Sequence, residues 1–196
     1  MAAMKRSQPT QDRGASNALW PGFTLLELIV VLAIGSVLMS VTVPALTGML
    51  NTQRATSTVN AFFVSLNLAR SEAIKRNGRA VMCKTADGVS CTSSGGWEQG
   101  WMVFHDANNN AALDAGEVVI QRQGPASRGM RLTGNSSVAN YVSFSPSGTA
   151  KLTSGAFQAG TFTLCAAYTS STDVRQIVLS GTGRSRTQKG VASNCV

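Results

Sequence analysis

The densest chemistry in this 196-residue sequence lies near its end, in Gly181-Thr182-Gly183-Arg184-Ser185-Arg186 with Lys189 three residues on. Two guanidiniums two residues apart point the same way where the chain is extended. Each presents a planar fork of donors suited to phosphate oxygens, and Lys189 adds a point charge. On an exposed C-terminal loop the set forms a phosphate-binding element. The plainer alternative is a solvated basic loop, or one that pairs with an acidic neighbour.

Other chemistry is sparse. The one histidine, His105, falls inside an expected strand, and no phosphate-binding Walker loop, HExxH run or nucleophile elbow is present, which argues against an enzyme. Asp106, Asn108, Asn110, Asp114 and Glu117 place oxygen atoms at positions 1, 3, 5, 9 and 12 of an EF-hand-like register. Ala111 stands where that register wants glycine, and Asn and Asp also make turns unaided. The loop is read as a structural turn, with calcium the alternative, and no metal or cofactor is assigned. Cys83, Cys91, Cys165 and Cys195 are an even set whose spacings are unlike zinc motifs, and they suit two disulfides in an oxidising compartment. Of three pairings we favour Cys83–Cys91, which closes a short hairpin-like loop, with Cys165–Cys195, which closes about thirty residues and is worth ~3.5 kcal/mol.

Glu27 is the remaining anomaly. From Phe23 to Leu50 it is the one ionisable side chain among Leu, Ile, Val, Ala and Met. Twenty-eight helical residues reach about 42 Å, more than the ~30 Å of bilayer hydrocarbon. A carboxylate in such a run is costly, about 2.5–3.5 kcal/mol at a span's centre and less near its end. A positive partner is required to offset it.

These residues need elements to position them. Residues 1–22 are polar and read as a leader, with Met4 open as a later start. Residues 23–50 form a transmembrane and assembly half-helix in which Pro44 kinks the helix or leaves an unwound turn. Over residues 51–77, Val59, Phe62, Phe63, Leu66, Ala69 and Ala73 recur at three- and four-residue spacing, an amphipathic continuation that stops at Asn77-Gly78. Residues 78–196 read as a globular β-domain with strands over 79–84, 97–105, 117–122, 129–133, 140–145, 148–153, 161–167 and 174–180. Trp97 and Trp101, four apart in a strand, point to one face and into a core. The class is α+β, a long N-terminal membrane-spanning and amphipathic helix packed on a C-terminal antiparallel sheet. Formal net charge is +8, of which Lys5, Arg6 and Arg13 against Asp12 put +2 in the leader. Basic residues ahead of the apolar run favour keeping that end in the cytoplasm and exporting the rest.

Gly22-Phe23-Thr24-Leu25-Leu26-Glu27 resembles the processing site of type IV prepilins and type II secretion pseudopilins. The resemblance implies a prepilin peptidase that cuts between Gly22 and Phe23 and methylates the new amine of Phe23. It also implies assembly with other pilin subunits through Phe23, Glu27 and Pro44, Glu27 meeting the amine of a neighbour. Trp97, Gly100, Trp101, Phe104 and Asp106 are similar to the FimT/FimU and GspH branch, and Gly183, Arg184 and Arg186 match the GRxR motif of FimT-like pilins. That motif implies non-specific binding of double-stranded DNA during uptake in natural transformation, with Lys189 in support. Three or four phosphate contacts give Kd ~10⁻⁴–10⁻⁶ M, so several copies are needed. The expected course runs from the bacterial inner membrane, with the globular domain in the periplasm, to the extracellular pilus. A FimU-like priming subunit without DNA contact and a GspH-like pseudopilin of type II secretion are the alternatives.

Overall fold

A computed structural model describes residues 22–166 and 174–190, the side chains of Val41, Pro44 and Ala45 excepted. The chain divides into two units, Met1–Pro44 and Ala45–Val196. Helix α1, Leu25–Arg76, supplies the described helix of the first unit and opens the second.

Gly22, Phe23 and Thr24 precede α1 in non-helical backbone. Thr24 caps the helix: its Oγ1 accepts the Glu27 N–H at 3.2 Å, the arrangement that a Thr-x-x-Glu sequence favours. Glu27 in the first turn also suits the positive end of the helix. The hydroxyls of Ser36, Ser40 and Thr42 donate back to the carbonyls of Ala33, Val37 and Leu38 at 2.7–2.8 Å, which leaves an apolar exterior. Helical backbone continues through residue 44, so the unwound turn admitted there is not formed. Among the described residues no helix is long and apolar enough to cross a membrane, and the span expected over 23–50 is not confirmed.

In the second unit, α1 turns Val59, Phe62, Leu66, Ala69 and Ala73 inward, each no more than 3% exposed, as their spacing predicts. Its end is a Schellman motif: Gly78 N–H donates to Ala73 O at 3.1 Å and Asn77 N–H to Ile74 O at 3.2 Å, with Asn77 at φ 48°. Eight antiparallel strands follow: β1 Arg79–Lys84, β2 Trp101–Asp106, β3 Val119–Gln123, β4 Met130–Gly134, β5 Tyr141–Phe144, β6 Gly160–Ala166, β7 Val174–Leu179 and β8 Ser185–Gly190. They form two four-stranded sheets, in the orders β3-β2-β1-β5 and β4-β6-β7-β8.

One core joins the helix stripe to the inner faces of both sheets, through Met82, Val103 and Phe144 of the first and Leu132, Phe162 and Ile177 of the second. Phe62 lies at its centre, its ring 5.2 Å from Trp97, 5.1 Å from Trp101 and 4.7 Å from Phe162, all edge-on. Such contacts add about 0.5–1.5 kcal/mol each beyond area burial. The indole N–H groups are satisfied, Trp97 by Val138 O at 3.1 Å and Trp101 by Ser65 Oγ at 2.9 Å. Both tryptophans are core, as expected, but Trp97 lies in a single 3₁₀ turn, Trp97–Gln99, where a strand was expected. Residues 148–153 also depart from expectation: only the isolated bridges Phe144↔Ala150 and Lys151↔Phe157 form, because turns occupy the segment.

The outer faces of the sheets differ. Over the first, Val81, Cys83, Met102 and Phe104 are covered by Cys91 and by Ala111 and Leu113 of the Asp106–Glu117 loop. Cys83 and Cys91 are joined by a disulfide, as expected. Cys165 is also disulfide-bonded; the expected pairing with Cys195 lies outside the described residues. On the second sheet the outward positions mix polar and basic side chains, Arg131, Thr133, Thr161, Thr163, Gln176 and Arg186, with Cys165, Val174 and Val178.

Candidate nucleic-acid interface

Strands β7 and β8 make a hairpin whose register places Leu179 opposite Ser185, Val178 opposite Arg186 and Arg175 opposite Lys189. The connecting turn is held by Gly183 N–H to Ser180 O at 2.8 Å and Ser180 N–H to Arg184 O at 2.9 Å. Gly183 sits at φ +78°, where a side chain is strained, and a Cβ there would fall on the Gly148 carbonyl oxygen. That carbonyl accepts a 3.0 Å bond from Arg70 Nε of α1, and Ala150 N–H donates to Gly181 O at 3.2 Å. The turn is therefore fixed to the Gly148–Ala150 segment by backbone contact, and that segment is tied to α1 by the Arg70 side chain.

That anchoring displays Arg184 and Arg186. Both are exposed, and they share a surface depression of about 440 Å³ with Val178 and Ser180. Arg184 belongs to the turn and Arg186 to β8, so the basic element expected as a loop is half strand. Lys189 is three residues from Arg186 along β8 and so points to the opposite face. There it lines a smaller hollow with Arg175, Thr187 and, from α1, Val59 and Asn60. The expected grouping of Arg184, Arg186 and Lys189 is corrected: Arg184 and Arg186 lie on one face of the β7–β8 hairpin, and Lys189 with Arg175 on the other.

Arg175 and Arg70 were not read as functional from the sequence. Arg175 is marked only by its partner across the hairpin, and Arg70 only by its bond to Gly148. Among the described residues strand β8 is an edge in the order β4-β6-β7-β8, so Arg186 and Lys189 line a sheet border. Charges there also oppose edge-to-edge aggregation. Among the described residues the ion pairs are Lys75–Glu72 and Arg76–Glu72, and Arg175, Arg184, Arg186 and Lys189 have no carboxylate partner.

Charge is segregated along the domain in a way the whole-chain total conceals. Residues 77–127 hold Arg79, Lys84 and Arg122 against Asp87, Glu98, Asp106, Asp114 and Glu117, three cations to five carboxylates. Residues 128–190 hold Arg128, Arg131, Lys151, Arg175, Arg184, Arg186 and Lys189 against Asp173 alone, seven to one. The second sheet and its turns therefore form a basic half-domain, suited to a polyanion.

The acidic groups of the other half are turned to their own backbone. Asp106 accepts N–H from Asn110 at 3.2 Å and Ala111 at 3.0 Å; Glu117 accepts Ala107 N–H at 2.8 Å and Asp114 N–H at 3.0 Å. Side-chain amides of Asn108 and Asn110 reach Asp114 Oδ2 at 2.7 Å and hold its carboxyl below the usual range. With Ala111 and Leu113 over the sheet, the loop acts as a structural cover. Among the described residues no group of three or more ligand side chains could hold a metal ion. Asp87 accepts the Ser90 and Val89 N–H groups at 2.9 and 2.8 Å inside the disulfide loop, which drives its pKa far down. Lys84 is buried against the carbonyls of Ser93 and Gly95 at 3.0 and 2.7 Å, and burial lowers its pKa although Glu98 opposes this. His105 abuts Gly78, where a Cβ would meet its ring.

At the other end of the chain, Gly22, Phe23 and Glu27 are exposed. Among the described residues, Phe23 and, on α1 up to Leu50, fifteen further large apolar side chains lie open. Such a surface marks an interaction site.

The family model described as type II transport protein GspH matches residues 58–183, more than half of the chain. The prokaryotic N-terminal methylation motif matches residues 22–43. No curated protein matches. Among solved structures, the type IV minor pilin FimU of Pseudomonas aeruginosa in space group P21 has a TM-score of 0.55 at 17% identity, covering 74% of this chain and 97% of its own. Its P65 crystal form has a TM-score of 0.50 at 16% identity, covering 72% and 99%. The minor pseudopilin EpsH of the Vibrio cholerae type 2 secretion system has a TM-score of 0.48 at 11% identity, covering 69% and 97%.

Proposed function

The chain belongs to the GspH family of minor pilins and pseudopilins, structural subunits and not enzymes, and on that premise we propose that it is a type IV minor pilin that binds DNA through its C-terminal hairpin. Prepilin peptidase removes residues 1–22 and methylates Phe23, in keeping with the methylation motif at 22–43. The subunit is then held at the inner membrane by residues 23–50, with its β-domain in the periplasm, and passes into the filament. In the filament the open apolar side chains of α1 are covered by other subunits, and Glu27 meets a neighbour's Phe23 amine, which offsets the burial of both charges.

One observation carries the DNA role: Gly183, fixed against Gly148, displays Arg184 and Arg186 exposed and, among the described residues, without a carboxylate partner. A duplex backbone laid along β8 meets these two on one face and Lys189 and Arg175 on the other. The contacts are to phosphate, so affinity is sequence-independent, and useful avidity comes from several copies.

The test is a gel shift of a labelled duplex by the full chain in neutral detergent. Changing Arg184 and Arg186 together to Gln weakens binding tenfold or more. Unchanged affinity removes the DNA role. The family match itself favours a second reading, a pseudopilin of type II secretion. On that reading deletion stops protein export and leaves transformation intact.

A further inference from the structure

Beside the same turn lies an aromatic ring that neither assembly nor duplex binding uses. Phe157 is 71% exposed, the one exposed aromatic side chain among the described residues of the β-domain. It is not on a loose loop. Leu152 N–H donates to Ala156 O and Gln158 N–H to Ala150 O, both at 2.9 Å, and Lys151 and Phe157 face each other as a bridge pair. The ring's base rests on the turn: a Cβ on Gly181 would stand 3.3 Å from Phe157 Cβ and 3.5 Å from its ring. Lys151 Nζ lies over the ring, 5.7 Å from its centroid, a cation–π contact that steadies both groups. An open ring thus rests against the Ser180–Arg184 turn, with Lys151 over it and Arg184 and Arg186 carried by that turn and by the strand that follows it.

An exposed phenylalanine contributes little to the core and lowers solubility, so its fixed display calls for a ligand. Aromatic faces among unpaired cations suit single-stranded nucleic acid: the cations follow the phosphates, and any base can stack on the ring. A duplex keeps its bases in their own stack and cannot use it. We propose that this end of the β-domain binds single-stranded DNA, or the frayed end of a duplex, with a base stacked on Phe157 while Lys151, Arg184 and Arg186 hold flanking phosphates. This rests on the DNA reading above and adds strand selectivity to it.

The experiment measures full chain in neutral detergent, by fluorescence anisotropy, against a labelled oligothymidine and a duplex of equal length. Wild type is expected to bind the single strand more tightly than the duplex. Phe157→Ala, a surface change that leaves the fold intact, weakens single-strand binding about 5- to 150-fold, equivalent to the ~1–3 kcal/mol of one stacked base, and leaves duplex binding unchanged. Arg184→Gln with Arg186→Gln weakens both. If the arginine changes reduce both affinities but Phe157→Ala leaves their ratio as in wild type, the stacking proposal is overturned and the DNA reading stands. If the arginine changes alter neither, the DNA reading itself falls.

Discussion

Gly183 and Gly148 meet backbone to backbone, at the Gly148 carbonyl to which Arg70 Nε already donates a 3.0 Å hydrogen bond. The glycine that opens the Gly-Arg-Ser-Arg sequence is therefore a structural requirement of the turn, and the two arginines are what the turn displays. Gly183→Ala places a side chain at φ +78° and against that carbonyl. The left-handed backbone alone costs about 1–2 kcal/mol, and the displaced segment adds to it. A lower urea midpoint is expected, with DNA affinity reduced as the hairpin loses its anchor; an unchanged midpoint contradicts the account of the turn.

The Cys83–Cys91 disulfide spans eight residues and fastens one of the two loops that cover the outer face of the first sheet. Chain entropy for so short a loop gives about 2.5 kcal/mol. Replacing both cysteines with Ser should lower stability by roughly that amount in urea unfolding. The variant should also lose the response to reductant that its loop confers on wild type.

Asp87 contributes stability that depends on pH. Its folded pKa is depressed, first by the Ser90 N–H and then by the Val89 N–H, so the contribution is complete above the ordinary carboxylate pKa of about 4 and is lost as pH falls toward the folded value. Asp87→Ala should be less stable than wild type at pH 7, and the gap should narrow on acidification below about pH 4. A gap that is constant from pH 7 to 2.5 would show that the carboxylate's charge is immaterial.

The neighbours of Glu27 one turn on along α1, Val30 and Val31, are apolar. Glu27→Gln should still be cleaved between Gly22 and Phe23 but should disappear from sheared filaments. Loss of one partner from a buried ion pair costs about 3–5 kcal/mol. Mass spectrometry of cell and filament fractions distinguishes cleavage from assembly; normal incorporation of the variant rules out the ion pair.

Much of this architecture is legible in the sequence, and the exceptions have physical causes. The second half of α1 follows from the spacing of Val59, Phe62, Leu66, Ala69 and Ala73, because one wet face and one dry face impose a period. Strand β8 is invisible to the same reasoning. Ser185-Arg186-Thr187-Gln188-Lys189-Gly190 shows no apolar alternation, since an edge strand held by its neighbour needs none. Without β8 the opposite orientation of Lys189 and Arg186 is hidden, and so is the meeting of Lys189 with Arg175. At Trp97 the β-propensity of tryptophan points to a strand, whereas Val138 and Phe62 hold the ring from a 3₁₀ turn. Tertiary packing overrides local preference there.

The most direct test of the central claim is the salt dependence of duplex binding by the full chain in neutral detergent. Three or four phosphate contacts predict that log K falls against log salt with a slope of about −3 for wild type, and that Arg184→Gln with Arg186→Gln makes the slope shallower by about 2. A double variant that keeps both the wild-type affinity and the wild-type slope contradicts the claim that this hairpin holds the DNA backbone.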